Sequence, residues 1–315
     1  MTLPPAFSVI IPVFRDWDRL TLCLAALEGQ SVPREQFEII AVDNDREPLS
    51  EHLRPVGVAY VHEPNGYSYT ARNAGMKRAV GEIIAFTDAD CIPDPHWLER
   101  GRISLTEADG CDLVGGRVEM FADKENVATR YELAFYLRQD KYFKQFGGFA
   151  TANLLVRRRV CDRIGGFDAS LESCGDFEFC RRAAESGFRL RYAPDALVRH
   201  PARANLGDLL KKNSRIARGF VRFGYERRTT LKSKLRWFYL LTRPALRDWY
   251  YTLSGGRGSE VLGRSKRPAV LALQILLRYH FVWAHCRGIL RSRREAGRRG
   301  RRSSAEVESA HQAKG

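Results

Sequence analysis

Gly81-Glu-Ile83-Ile-Ala-Phe86-Thr-Asp88-Ala-Asp90-Cys-Ile-Pro93-Asp-Pro-His-Trp97-Leu98 is the stretch from which the rest of the chain is best read. The short apolar run Ile83 to Phe86 has the look of a buried strand. It stops at two carboxylates one residue apart, followed by a proline-containing turn and a helix start. In an open α/β sheet, ligands bind just beyond the carboxyl ends of the strands. A fold gains nothing from negative charge there, whereas a hard cation bridging to phosphate needs oxygen ligands.

Outward from this stretch, strand and helix patterns alternate through the first 120 residues. Strands are expected at Phe7–Pro12, Phe37–Val42, Val56–Val61, Ile83–Phe86 and Asp112–Gly115. Helices are expected at Asp18–Gly29, Ser68–Val80 and from about Pro95 to Ala108. This alternation predicts an α/β fold, a mostly parallel central sheet flanked by helices. Polar turns recur at the strand ends: Pro12-Val-Phe14-Arg15, Asp43-Asn44-Asp45, Glu63-Pro-Asn65-Gly66 and Asp88-Ala-Asp90. Clustered along one sheet edge, they describe a nucleotide crevice. Neither a G-x-G-x-x-G after the first strand nor a G-x-x-x-x-G-K-[ST] is present, so a dinucleotide fingerprint and a P-loop are unsupported. Between Asn126 and Phe149 the pattern weakens, and Gln145–Phe149 reads as a mobile loop. Order resumes at Asn153–Arg157 and Cys161–Gly166. A helix starts at Cys174 and runs to about Ser186, and Phe188–Tyr192 and Leu197–His200 read as a closing pair of short strands.

The seven motifs occur in a family's order: Ser8-Val-Ile-Ile-Pro12-Val-Phe14, Ile39-Ile-Ala-Val-Asp43-Asn44, Asn65-Gly66…Ala71-Arg72-Asn73-Ala-Gly75, Phe86-Thr-Asp88-Ala-Asp90, Gly165-Gly166-Phe167-Asp168, Gly175-Asp176-Phe177-Glu178 and Val198-Arg-His200. Together they resemble the family-2 glycosyltransferases, which have the GT-A fold and use nucleotide-activated sugars. The resemblance covers about residues 6–202. It implies that Asp43 binds the nucleoside of the donor and that Pro12 and Phe14 line the base pocket. Asn65 would belong to the donor site, and Arg72 would meet the diphosphate or pair with an aspartate of the Asp-x-Asp. Asp88 and Asp90 would hold Mn²⁺ or Mg²⁺ against the diphosphate, with His200 as a third ligand, as oxygen-rich octahedral ions allow. Asp176 would be the general base that takes the acceptor hydroxyl's proton during inverting transfer. Glu178 is expected to pair with Arg181 or Arg182, and Trp97 to pack. This chain has Gly175 where the family often has an acidic residue.

Charge divides the chain near His200. Residues 1–200 hold 25 Lys+Arg and 30 Asp+Glu, whereas residues 201–302 hold 26 and 5, so the overall +15 resides in the second part. The resulting domain reading is a GT-A catalytic domain over 1–202, with a nucleotide-sugar half to about 120 and an acceptor half over 121–202. An amphipathic, aromatic-rich helical extension follows over 203–290, then a basic, disordered tail over 291–315. In the extension, Lys211, Arg215, Arg218 and Arg222 share one helical stripe. Leu235–Leu253 interleaves Trp237, Phe238, Tyr239, Trp249, Tyr250 and Tyr251 with Arg236, Arg243 and Arg247, and Pro244 divides it. Such helices suit the interface of an anionic membrane. Arg278 and two histidines interrupt the most apolar run, Pro268–Cys286, so no spanning segment is expected.

Seven scattered cysteines without C-x-x-C spacing favour a reducing compartment and argue against a zinc site. The start of the chain lacks a signal-peptide pattern. These features predict a cytoplasmic protein, peripheral at the inner face of the cell membrane. A saccharide or lipid-linked acceptor is expected, and no nucleic acid, since no recognition motif accompanies the charge. The Gln-x-x-Arg-Trp motif of processive members is missing, which favours transfer of a single sugar. A sugar nucleotidyltransferase is the rival enzyme reading, although Pro12-Val-Phe14-Arg15 replaces its Gly-rich loop. A catalytically degenerate membrane scaffold is the non-enzyme alternative.

Overall fold

The computed structural model describes residues 5–106, 111–225, 227–255 and 262–312. Its centre is an eight-stranded sheet. In chain order the elements are β1 (Phe7–Val13), α1 (Trp17–Glu28), β2 (Phe37–Asp43), β3 (Ala59–His62), α2 (Ser68–Arg78), β4 (Ile83–Phe86), β5 (Ile92–Pro93) and α3 (Trp97–Thr106). There follow β6 (Cys111–Phe121), α4 (Val127–Phe135), α5 (Gln139–Phe146), β7 (Leu154–Arg157), α6 (Arg158–Ile164), α7 (Gly175–Glu185) and β8 (Arg189–Pro201). The remainder is helical: α8 (Leu206–Phe220) with a π turn at Val221–Tyr225, α9 (Leu231–Thr242), α10 (Leu246–Ser254) and α11 (Arg267–Gln312).

The strand order is β3-β2-β1-β4-β7-β6-β8-β5. Strands β3, β2, β1 and β4 are parallel, β7 is antiparallel to both β4 and β6, and β8 is parallel to β6. Two reversals across β7 return β6 and β8 to the direction of β1 and β4. The carboxyl ends of β1, β4 and β8 therefore meet at one edge, together with the residues that enter β7. That edge is where the site forms.

Alternation along β1 sends side chains to two cores. Val9, Ile11 and Val13 pack with Leu20, Cys23 and Leu27 of α1 and with Leu98 and Leu105 of α3. Ile10 faces the other way, joining Ile40, Val42, Ile84 and Phe86 beneath Tyr69 of α2 and Phe179 of α7. With both faces covered, these strands read as continuous apolar runs rather than alternating ones.

Several expectations need correction. The strand expected from Val56 begins at Ala59. The helix expected to reach Ala108 is present over Trp97–Thr106, and its expected last residues, 107–108, lie outside the described residues. The supposed pair of closing strands is one strand, β8, interrupted by an irregularity in its pairing with β6. Gly116 pairs with Ala193 and Arg117 with Leu197, so residues 194–196 bulge out. Pro194 has no N–H for a ladder, which explains the break. Asn153 holds the bulge by donating from Nδ2 to Ala196 O and Arg117 O, both at 2.8 Å. Gly116 permits that approach, since a Cβ there would lie 2.3 Å from Ala196 O and from Asn153 Nδ2.

The segment of weakened pattern is helical. Asn126 caps α4 reciprocally with Thr129, and Gly147 ends α5 in the left-handed region. Among the basic extension's stripe, Arg218 binds Glu172 through two contacts of 2.6 and 2.8 Å, and Arg222 donates to Ser170 O. These two cations dock the extension onto the catalytic body. Helix α11 continues to Gln312, past the boundary drawn at Leu290; the Arg-, Ala- and Glu-rich sequence there contains good helix formers and no proline. Residues 313–315 lie outside the described residues. Contrary to the sequence expectation, Arg264–Ser292 is long and apolar enough to cross a membrane by length and composition, at mean hydropathy 1.2. An unbroken apolar run is a stricter requirement than a window average, which tolerates Arg278. Of that window 28% is buried in the protein, and Arg278 Nη2 donates to Leu240 O and Arg243 O.

Candidate active site

A cleft of about 530 Å³ opens at the edge where β1, β4 and β8 end. Asp88 and Asp90 follow β4 and His200 comes from the end of β8, so the topology brings together residues more than a hundred positions apart. Ligand atoms of Asp88, Asp90, Cys91 and His200 all lie within 4.8 Å of one another. His200 Nδ1 lies 2.8 Å from Pro201 O, which suits a proton on Nδ1. Its Nε2 then faces Asp90 Oδ1, at 3.7 Å, with a lone pair. Burial first, then the neighbouring aspartates, push the Cys91 thiol well above its ordinary range, so it stays protonated. Two carboxylates and one imidazole form a donor set that fits Mn²⁺ or Mg²⁺.

Arg72, on α2, is buried at the cleft wall and donates from Nη2 to Asp88 Oδ1 at 2.5 Å. Its Nε has no hydrogen-bond partner among the described residues, an uncommon state for a buried N–H. The next residue, Asn73, pins the loop before α7: Nδ2 donates to Phe167 O and Oδ1 accepts from Phe167 N, each at 2.8 Å.

Asp176 lies in the first turn of α7 and lines the same cleft. Its Oδ1 accepts from Phe177 N at 3.0 Å and from the Tyr69 hydroxyl at 3.2 Å. Burial raises its carboxyl above the ordinary carboxylate range, and the Phe177 N–H and Arg72 only partly offset it. A carboxylate made more basic by its site, beside a cleft, has the attributes of a general base. Glu178 instead binds Arg181 at 3.1 Å and Arg182 at 2.9 Å, as expected from the sequence. Trp97 is buried and donates to Asn153 Oδ1 at 2.8 Å, the packing role expected of it.

The nucleoside side is placed differently from expectation. Pro12 and Phe14 line the cleft, and Phe14 is 61% exposed. Asp43 is 1% exposed and is not among the cleft residues. Its oxygens accept from Asp45 N at 3.0 Å, Leu49 N at 2.9 Å and the Tyr60 hydroxyl at 2.6 Å. Burial, then Asp43, push the Tyr60 hydroxyl up to about 12, so it remains a donor. In this arrangement Asp43 shapes the loop after β2 rather than presenting free oxygens. Asn65 is exposed and also lies outside the cleft, its N–H donating to Glu63 Oε1 at 3.2 Å. Asn44, next to Asp43, is the cleft residue; its Nδ2 donates to Glu63 O at 2.6 Å.

Sequence reasoning missed the aromatic wall of the cleft. Tyr136 follows α4, Tyr142 and Phe146 lie on α5, and Arg203, Arg215, Phe220 and Phe281 come from the extension. Aromatic spacing in 131–149 was the available signal. Behind the wall, Glu132 is buried and accepts from Lys212 Nζ at 2.7 Å and Arg203 N at 2.7 Å. Burial first, then the Arg203 charge, push the Lys212 amine well below its ordinary range. This cluster locks α8 to α4.

Residues 8–165 match the model of glycosyl transferase family 2. The chain belongs to that family. It is 36% identical over 225 residues to glycosyltransferase AglE of Haloferax volcanii, covering 69% of this chain and 73% of that protein. It is 29% identical over 224 residues to the pre-mycofactocin glycosyltransferase of Mycobacterium tuberculosis, covering 66% of this chain but 45% of that longer protein. Two solved structures share the GT-A fold of this family 2 chain. One is the mannosyltransferase PcManGT of Pyrobaculum calidifontis in complex with GDP-Man and Mn²⁺, with a TM-score of 0.60 and 15% identity over 91% of this chain and 88% of that one. The other is S. aureus TarS 1–349 in complex with UDP-GlcNAc, with a TM-score of 0.51 and 16% identity over 93% and 92%.

Proposed function

We propose that this family 2 member transfers one sugar, with inversion, from a nucleotide-sugar to a hydroxyl acceptor, probed first with UDP-sugars. The observation that carries the reading is the placement of Asp176 in one cleft with the Asp88/Asp90/His200 cluster, with Arg72 bonded to Asp88 and its charge felt by Asp176. Asp176 removes the proton as the acceptor oxygen bonds to the anomeric carbon. The bond from that carbon to the donor phosphate oxygen breaks, and its electron pair leaves with the nucleoside diphosphate. Arg72, with an unpartnered Nε–H, supplies charge-assisted hydrogen bonds to the leaving diphosphate. Asp88, Asp90 and His200 would hold Mn²⁺ or Mg²⁺, which would neutralise charge on that group. Pro12 and Phe14 offer an apolar face to the base, and Asp43 acts on the nucleoside through the loop it holds.

Cell-surface glycan or glycolipid synthesis at the inner face of the cell membrane is the setting this reading favours. Supporting it are the outward apolar faces of the extension, Leu231, Leu235, Phe238 and Tyr239 on α9 and Leu246, Tyr250 and Leu253 on α10, which stand beside lysines and arginines. Flotation with anionic liposomes tests the setting: the chain rises at low salt, and Phe238→Asp with Tyr250→Asp reduces that. A chain that stays at the bottom of the gradient removes the membrane claim. The chemistry is tested by metal-dependent transfer or hydrolysis in a screen of UDP- and GDP-sugars. Failure of every donor to bind or react, with Asp90→Ala indistinguishable from the parent, overturns the enzyme reading.

A further inference from the structure

A second and larger groove, about 950 Å³, lies between α4–α5 and the helices α8, α10 and α11. Apolar and aromatic residues, among them Phe135, Trp249, Leu277 and Phe281, make up about half of its wall, and the polar half is mostly basic, with Asp248 as its one acid. Tyr142 and Phe281 line both this groove and the catalytic cleft, so the two adjoin at these rings. The link is aromatic throughout: Tyr142 packs edge-on against Phe177 with centroids 5.6 Å apart, and Phe177 follows Asp176 in the chain. A volume near the upper end of the range of about 300–1,000 Å³ for small-molecule sites is more than a sugar hydroxyl needs.

The charges around the groove narrow the choice of occupant. Lys144 and Arg247 line it, both exposed and with no ion pair among the described residues. At the cleft end Arg215 is likewise exposed and unpaired, and it also lines a basic hollow with Lys211 and Arg218. Beside the groove, Leu246 and Tyr250 of α10 and Tyr279 of α11 face outward. A groove with apolar and aromatic wall residues, flanked by outward apolar helices, with cations along its rim and the cleft of Asp176 adjoining it, fits an amphipathic molecule. Its hydrocarbon would occupy the groove and its anionic head would reach the cleft.

We infer that this groove binds the hydrocarbon chain of a lipid acceptor whose phosphate head is held at the cleft end by Arg215, placing the acceptor oxygen near Asp176. The inference rests on the glycosyl-transfer reading and specifies its acceptor class. Each buried methylene contributes about 0.8 kcal/mol, which is about a fourfold gain in affinity per carbon while the groove is filling.

Calorimetry on the full chain with ethyl, hexyl and decyl phosphate tests it, with inorganic phosphate and decanol as controls. Affinity rises steeply from ethyl to decyl phosphate, and decanol binds at least tenfold more weakly than decyl phosphate. Ala245→Trp, which adds bulk to the groove wall, and Arg247→Glu, on its exposed rim, each weaken decyl phosphate at least tenfold but leave Mn²⁺-dependent nucleotide binding unchanged. Arg215→Gln abolishes the preference for decyl phosphate over decanol. Affinity independent of chain length, or decyl phosphate binding untouched by both groove variants, overturns the inference. So does a chain that dimerises through the groove, is made monomeric by Ala245→Trp and binds no alkyl phosphate. Nucleotide binding is read separately, so its loss in the parent chain counts against the donor reading and not against the groove.

Discussion

Arg72 Nη2 stands 2.5 Å from Asp88 Oδ1, and the side chain that makes this contact is only 4% exposed. The same guanidinium partly offsets the upward push that burial gives the Asp176 carboxyl. One buried cation thus acts on the carboxylate after β4 and on the one in the first turn of α7. Arg72→Gln removes both effects. Nucleoside diphosphate affinity, read by calorimetry with Mn²⁺ present, falls about 10- to 150-fold, the worth of a charged hydrogen bond of about 1.5–3 kcal/mol. The acid limb of the pH–rate profile moves to higher pH, because Asp176 loses a charge that favours its ionised form.

Asp90 and His200 approach from different strands, Nε2 to Oδ1 at 3.7 Å. Mn²⁺ binding followed by electron paramagnetic resonance weakens at least tenfold in Asp90→Asn and less in His200→Gln. Nucleotide affinity in Asp90→Asn becomes insensitive to chelator, whereas the chelator lowers it in the parent chain and, by a smaller factor, in His200→Gln.

Asp176→Asn separates catalysis from stability. Loss of the base lowers turnover about 10²- to 10⁴-fold without changing donor affinity. The folded carboxyl lies above its unfolded value, so the wild-type contribution to stability is full at acid pH and is lost as pH rises through the folded pKa. The asparagine variant escapes that loss. Its melting temperature exceeds that of the wild type near neutral pH, and the difference shrinks in acid; a difference that grows on acidification contradicts the assignment.

Glu132→Gln leaves Lys212 and Arg203 packed around a neutral amide. Breaking one member of a buried charge cluster costs about 3–5 kcal/mol, measurable by urea denaturation. Glu132→Gln combined with Lys212→Met recovers much of that loss, because the double variant leaves no unpaired amine in the interior.

The place of Asp88 and Asp90 in the cleft was legible because a strand that ends in Asp-x-Asp declares its own geometry, and that of Asp176 because a helix start fixes the direction of its first turn. Asp43 shows the limit of such reading. Its place at the end of β2 was plain, but whether its oxygens face ligand or loop depends on Leu49 and Tyr60, which no local pattern links to it. Helices α4 and α5 were missed because one side meets the sheet and another the extension, so no single apolar stripe survives. The two-residue β5 is too short for any period, and it exists only through its pairing with β8.

The aromatic wall from Tyr142 to Phe281 carries a consequence for biosynthesis. A ribosome makes Asp88, Asp90 and His200 before the helix that bears Phe281. At about 5–20 residues per second, many seconds separate the two. During that interval the nascent chain can assemble the Asp88/Asp90/His200 cluster without a closed acceptor side. The wall that Phe281 completes thus closes only after the cluster has been made.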